Sequence, residues 1–326
     1  MEKKTRLDVP DIMKGLCIIL VVMQHCFWLP DADTHVLTRV YLCMNMPMFF
    51  FVSGLFLPVG RGIGTVAVHS ARRLLVPWLV FALVSGVTVS ALMDSPPVSV
   101  GELHRWLFIG PNTPLYFLRA LFFAIILARC AAWLPAGMVW QMAVLAVFAA
   151  MSWVVVSFGT DWPLSNLGIH EAASMVMYMW LGHMCSVWLK NYQPSRVAAL
   201  GVFVVSLAAA CILNPGRMRW HYQETGETWT IVTACAILGI VAIWALACML
   251  RGFRPLAALG RRTMQVLVLH YFILLAFIAW LGCDRDQAGL LMLVALPVVM
   301  YACERFVPFI FGEKTIRWSL KRGLST

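Results

Sequence analysis

Apolar runs of about 18 to 25 residues recur from one end of this chain to the other, each long enough to cross the hydrocarbon core of a bilayer as a helix. That recurrence leaves little choice of fold. In lipid every backbone N–H and C=O must be satisfied within the chain, and runs of this length, about twice that of a barrel strand, do so as helices. Ten spans are expected: Ile12–Leu29, Val40–Val59, Leu74–Met93, Leu115–Leu134, Met138–Phe158, Ala172–Leu189, Val197–Leu213, Trp229–Leu250, Met264–Gly282 and Ala288–Phe311. No polar block between them is long enough for a separate soluble domain. The sequence therefore predicts an all-α, polytopic membrane bundle, a single domain over residues 1–326. Composition agrees, because with 61% hydrophobic and 12% charged residues the chain cannot cover a water-soluble globule of its size. The first run has no small-residue cleavage site and carries His25, so it reads as a retained span.

The net charge of +10 invites a nucleic-acid reading, but its placement argues for topology. With the first helix starting in the cytoplasm, eighteen of the 25 Lys and Arg fall on the cytoplasmic side and five on the other. The positive-inside rule then gives N-in and C-in, with membrane lipid and no nucleic acid as partner. The ten cysteines are scattered through apolar segments without a close pair, as small buried hydrophobes rather than disulfides or metal ligands. The run MNMPMFF is read as space-filling, and no metal is expected. The longest connections, Asp94–Pro114 and Asn214–Thr228, fall on the outer side and mix aromatic residues with charges. They suit either interfacial anchors or an acceptor-binding surface.

Titratable groups at membrane depth are expensive and usually face a cavity or a partner. In KGLCIILVVMQHC, His25 lies about 16 Å beyond Lys14 along one helix, toward the outer half. Asn45, Arg119 and Glu171 fall near the same level on other helices, while Lys14, Arg72, Arg73, Arg261 and Arg262 gather at the inner edge. Asp11 and Lys14, three residues apart, can pair on one face. His270 is placed about two turns in from the cytoplasm, and His183 and the pair Glu304 and Arg305 in the inner half. Each also has a plainer reading. Lone histidines can be satisfied by a neighbouring helix, the inner cations can mark topology, and Arg119 can be neutralised by Glu171.

Taken together these positions resemble the acyltransferase 3 family of membrane acyltransferases, especially its sugar O-acetylase branch. DIMKGLCIILVVMQH, with Asp11, Lys14, Gly15 and His25, is similar to that family's first helix. MPMFFFVSGLFLP resembles its second-helix motif, through Met46, Pro47, Phe49, Phe50, Ser53 and Gly54. RRLLVPWLVF, PLYFLRALFFA and LGRRTMQVLVLHYFIL follow in the family's order, the last ending its motif at His270. Many members carry Arg where this chain has Lys14, and often His where it has Asn45. Lysine keeps the charge without the forked donor geometry, and asparagine cannot serve as a second base.

The resemblance implies transfer of an acyl group from acetyl-CoA, as co-substrate, to a hydroxyl of a carbohydrate or glycolipid, at a bacterial inner membrane. Lys14, Arg72 and Arg73 are the candidates for the donor's phosphates. His25 is the candidate general base, a task suited to a neutral imidazole near pH 7. Asp11, Asn45, Arg119, Glu171 and His270 are read as acceptor-binding or supporting groups, Arg119 or Asn45 steadying the developing oxyanion. The expectation is a passage joining the cytosolic cations to the base. The rival reading is a transporter or flippase for a sugar or lipid-linked precursor, in which the same buried groups line a pathway.

Overall fold

The computed structural model describes residues 8–26, 35–92, 112–134, 137–158, 168–192, 194–213 and 229–311. Most of the two long outer connections, and the charged segments at both chain ends, lie outside these. The described chain is helical, with no β-strand. Its elements are α1 (Asp8–Cys26), α2 (Val36–Gly54), α3 (Ile63–Ser70), α4 (Val76–Leu92), α5 (Tyr116–Ala131), α6 (Met138–Phe158), α7 (Ile169–Asn191), α8 (Arg196–Leu213), α9 (Trp229–Met249), α10 (Arg254–Arg261), α11 (Thr263–Leu281) and α12 (Arg285–Phe306). A π-turn, Ala71–Leu75, joins α3 to α4 without a break.

Among the described residues nine helices are long and apolar enough to cross a membrane, α3 and α4 counting as one rod over Ile63–Thr88. The tenth expected span is α7, 23 residues long but more polar. Its composition follows from its place. It packs against α2, α5 and α6, and every residue from His170 to Trp180 is buried. A helix surrounded by protein can carry His, Glu and Ser that lipid would reject. By contrast α6, α8 and α12 expose Val, Leu and Ile along much of their length, as lipid-facing helices do. The protein is an integral membrane helical bundle.

Several helix ends lie a few residues from the sequence reading, α2 ending at Gly54 rather than Val59 among them, and three differences have a local reason. The third span begins at Ile63 rather than Leu74, and Arg72 and Arg73 sit inside the rod, in the π-turn. Pro77 has no N–H to return to the Arg73 carbonyl, and a wide turn is one way a helix absorbs such a loss. The last helix ends at Phe306 because Val307, preceding Pro308, leaves the helical region at φ −135°. The chain then turns back so that Phe311 stacks on Phe81 of α4, with centroids 6.0 Å apart. Third, the short helix α10 was not foreseen. It lies across the start of α1, where Gly15 and Gly260 let the backbones meet. A Cβ at Gly15 would strike the Leu256 carbonyl, and one at Gly260 the Asp11 carbonyl.

Candidate active site

The α1–α10 crossing builds the inner charge cluster. Lys14 Nζ is 2.8 Å from Asp11 Oδ1, the pairing expected from their spacing. Arg261, delivered by the end of α10, is 3.7 Å from Asp11 Oδ2. One buried carboxylate thus holds two cations beside each other. Both line a cavity of about 860 Å³, together with Arg61, His69 and Arg73. Its deeper walls are Ile18, Met46, Phe49, Phe117, Leu118 and Leu121. Arg61 is tied to the last turn of α5, since Arg129 Nε and Nη2 donate to the Arg61 carbonyl at 3.0 and 2.6 Å. From Ile125 to Phe117 the cavity follows α5 for about 12 Å, at 1.5 Å per residue. It is charged at one end and apolar at the other.

Arg72 and Arg73 separate here. Arg73 lines the cavity, whereas the exposed Arg72 is not among the lining residues. Arg261, which the sequence sets at the inner edge beside Lys14, lines the cavity. Arg61 and His69 join the candidates; they are not singled out in the sequence, because nothing in local spacing brings α3 and the loop before it to this rim. Arg129, which the charge count treats as a topology marker, is buried and fastens the rim instead. Glu304 pairs with Arg262 at 3.0 Å rather than with its neighbour Arg305.

The depth count separates His270 from His25 further than the structure does. It sets His270 in the inner half and His25 in the outer, yet their ring centroids are 5.5 Å apart. Counting residues from a boundary treats every helix as upright and equally long. Tyr271 presents its ring edge to His25 at 5.2 Å. Arg285, at the start of α12, donates to the carbonyls of His25 and Gln24 at 2.8 and 3.1 Å. It supplies the last carbonyls of α1 with the cationic donor that a helix C-terminus favours. The main chain of His25 is therefore held by a residue 260 positions away in sequence.

Asn45 stands beside this pair through Gln24. Its Nδ2 donates to the Tyr41 hydroxyl at 2.8 Å and reaches Gln24 Oε1 at 3.4 Å, and Tyr41 donates to the same Gln24 oxygen at 2.8 Å. Arg119 belongs to a separate group, its guanidinium 5.3 Å from the Trp78 ring centre and attracted by Glu171. Gly168, at φ 82°, starts α7 hard against the backbone of Arg119 and Ala120, so the first turn of α7, which carries Glu171, begins beside α5. Of the two readings of Arg119, neutralisation by Glu171 has an electrostatic attraction behind it. His183, the other inner histidine, packs against Trp180 at 5.2 Å.

Neither His25 nor His270 lines the cavity. The lining stops at Leu267, one turn before His270, and at Ile18, two turns before His25. The expected open passage is thus interrupted by a thin apolar layer. His25 is half-buried and His270 fully buried.

No curated protein and no solved structure matches the chain. An acyltransferase-domain family model, that of the acyltransferase 3 family, matches residues 8–303. The match runs from the first turn of α1 to the last of α12, taking in both the cation-lined cavity and the histidine pair, so the transport reading of the buried polar groups gives way. The chain belongs to the acyltransferase 3 family and is a membrane acyltransferase.

Proposed function

We propose that this acyltransferase takes an acetyl group from cytosolic acetyl-CoA and places it on a hydroxyl of a cell-surface or lipid-linked carbohydrate, at a bacterial inner membrane, with His25 as general base. The observation that carries the reading is the cavity's polarity. Lys14, Arg61, Arg73 and Arg261 offer cations at one end, while the interior toward Phe117 and Leu118 is apolar. Such a site suits a donor with phosphates at one end and a slender arm ending in a thioester.

In this reading the acceptor's oxygen attacks the thioester carbonyl carbon as its proton passes to the neutral imidazole of His25. The tetrahedral intermediate collapses with cleavage of the C–S bond. The thiolate leaves and takes a proton from the imidazolium, giving ester and free CoA. Asn45 orients the acceptor in this reading, supported by its hydrogen bond to Tyr41 and its closeness to Gln24, next to His25 in α1. The thioester has to pass the level of Ile18 and Leu267 to reach His25, so donor binding must part that layer.

The test is His25→Ala in native membranes, scored by transfer of labelled acetyl from acetyl-CoA to the glycan fraction. Loss of a general base should lower the rate by about 10²- to 10⁴-fold while the protein remains inserted. Undiminished transfer would remove His25 from the mechanism.

A further inference from the structure

His270 lies on α11, opposite His25 on α1. Its Nδ1 is 2.9 Å from the carbonyl oxygen of Val266, one turn back in the same helix. A carbonyl only accepts, so Nδ1 carries the hydrogen, and in the neutral ring Nε2 bears a lone pair. That Nε2 is buried and has no hydrogen-bond partner. Buried polar atoms are rarely left unpaired, and those that are commonly wait for a partner supplied during function. The His25 and His270 rings lie 5.5 Å apart between centroids and are tilted by 45°, a separation at which rotation of the rings can bring one nitrogen of each within hydrogen-bond reach. Among the described residues, polar groups beside His25 include Tyr271, in a T-shaped ring contact, and Arg285, whose guanidinium donates to the His25 and Gln24 carbonyls. The backbone of His25 is thereby fixed while its ring is left to be oriented.

We propose that His270 is a positioning residue for His25: its Nε2 accepts a hydrogen bond from the His25 ring, directing the lone pair of the other His25 nitrogen at the acceptor hydroxyl. The chain of bonds runs from the Val266 carbonyl through His270 to His25, each link setting the tautomer of the next. When His25 takes the hydroxyl proton, its second N–H already rests on an acceptor, so the imidazolium forms against a lone pair rather than against apolar packing. The inference rests on the reading of His25 as the base.

The experiment uses the full-length protein in lipid nanodiscs with ¹⁵N-labelled histidine, tractable because the chain has only eight. His25→Ala identifies the His25 signals. His270→Phe keeps an aromatic ring without the acceptor, and His270→Gln keeps an acceptor oxygen. The expected result is a change in the His25 tautomer signals in His270→Phe that His270→Gln largely restores. Acetyl transfer from labelled acetyl-CoA into native membrane glycans should fall about tenfold or more in kcat for the Phe variant, with the acetyl-CoA KM unchanged and the Gln variant intermediate. His25 signals unaltered in His270→Phe, or Phe and Gln variants equally impaired, would overturn the proposal. Full transfer by His25→Ala would instead defeat the base reading, and the nitrogen spectra would still report whether the two rings are bonded.

Discussion

Arg72 and Arg73 look interchangeable as sequence, two adjacent cations ahead of an apolar span, yet their side chains leave the π-turn on different sides. Both are exposed, but Arg73 lines the cavity shared with Lys14 and Arg261 and Arg72 does not. A hydrogen bond to a charged group contributes about 1.5 to 3 kcal/mol, so Arg73→Ala should raise the acetyl-CoA KM by about tenfold or more. Arg72→Ala should change it by no more than about twofold, as for a solvent-exposed charge. Steady-state kinetics of the two variants would distinguish them, and equal effects would mean that the donor does not use this cavity face. Lys14 is subtler, since Asp11 already holds it at 2.8 Å and part of its charge is spent on that carboxylate.

The helices act here as carriers of distant residues. The short α10 has no membrane-spanning role; its contribution is to lay Arg261 beside Asp11, and it can do so only because two glycines meet at the crossing. Gly260→Leu would force the backbones of α1 and α10 apart. Overpacking of this kind costs about 1 to 3 kcal/mol and displaces what it holds. The expected result is a lower melting temperature of the purified protein together with a raised acetyl-CoA KM, because Arg261 leaves the rim. A variant with wild-type melting and KM would show that the contact is dispensable. Arg285 does the corresponding work at the opposite end of α1, where two carbonyls and one guanidinium lock α12 to the His25 turn.

At the scale of the whole molecule, the bundle sorts polar groups by depth within one cavity. The cations are at the rim, and the deep wall of Ile18, Met46, Phe49, Phe117, Leu118 and Leu121 contains no charged side chain. A dicarboxylic acyl group would have to carry an unpaired carboxylate past that wall on its way to His25, at a cost of several kcal/mol. Succinyl-CoA should therefore be used at least about 100-fold less well than acetyl-CoA, whereas butyryl-CoA should be tolerated. Competition between the three thioesters in a transfer assay checks this, and equal use of succinyl-CoA would place the acyl group elsewhere.

Hydrophobic run length alone determined that this chain is a helical membrane bundle, since lipid offers backbone polar groups no other partner. The spacing of Asp11 and Lys14 likewise gave their ion pair, a contact within one helix turn that needs no tertiary information. The pairing of His25 with His270, the split between Arg72 and Arg73, the rim fastened by Arg129 and the crossing of α10 over α1 were decided only by the tertiary structure. Each depends on helix tilt, on a π-turn or on two backbones in contact, quantities set by packing between segments far apart in the chain. A one-dimensional count of residues from a membrane boundary carries none of them.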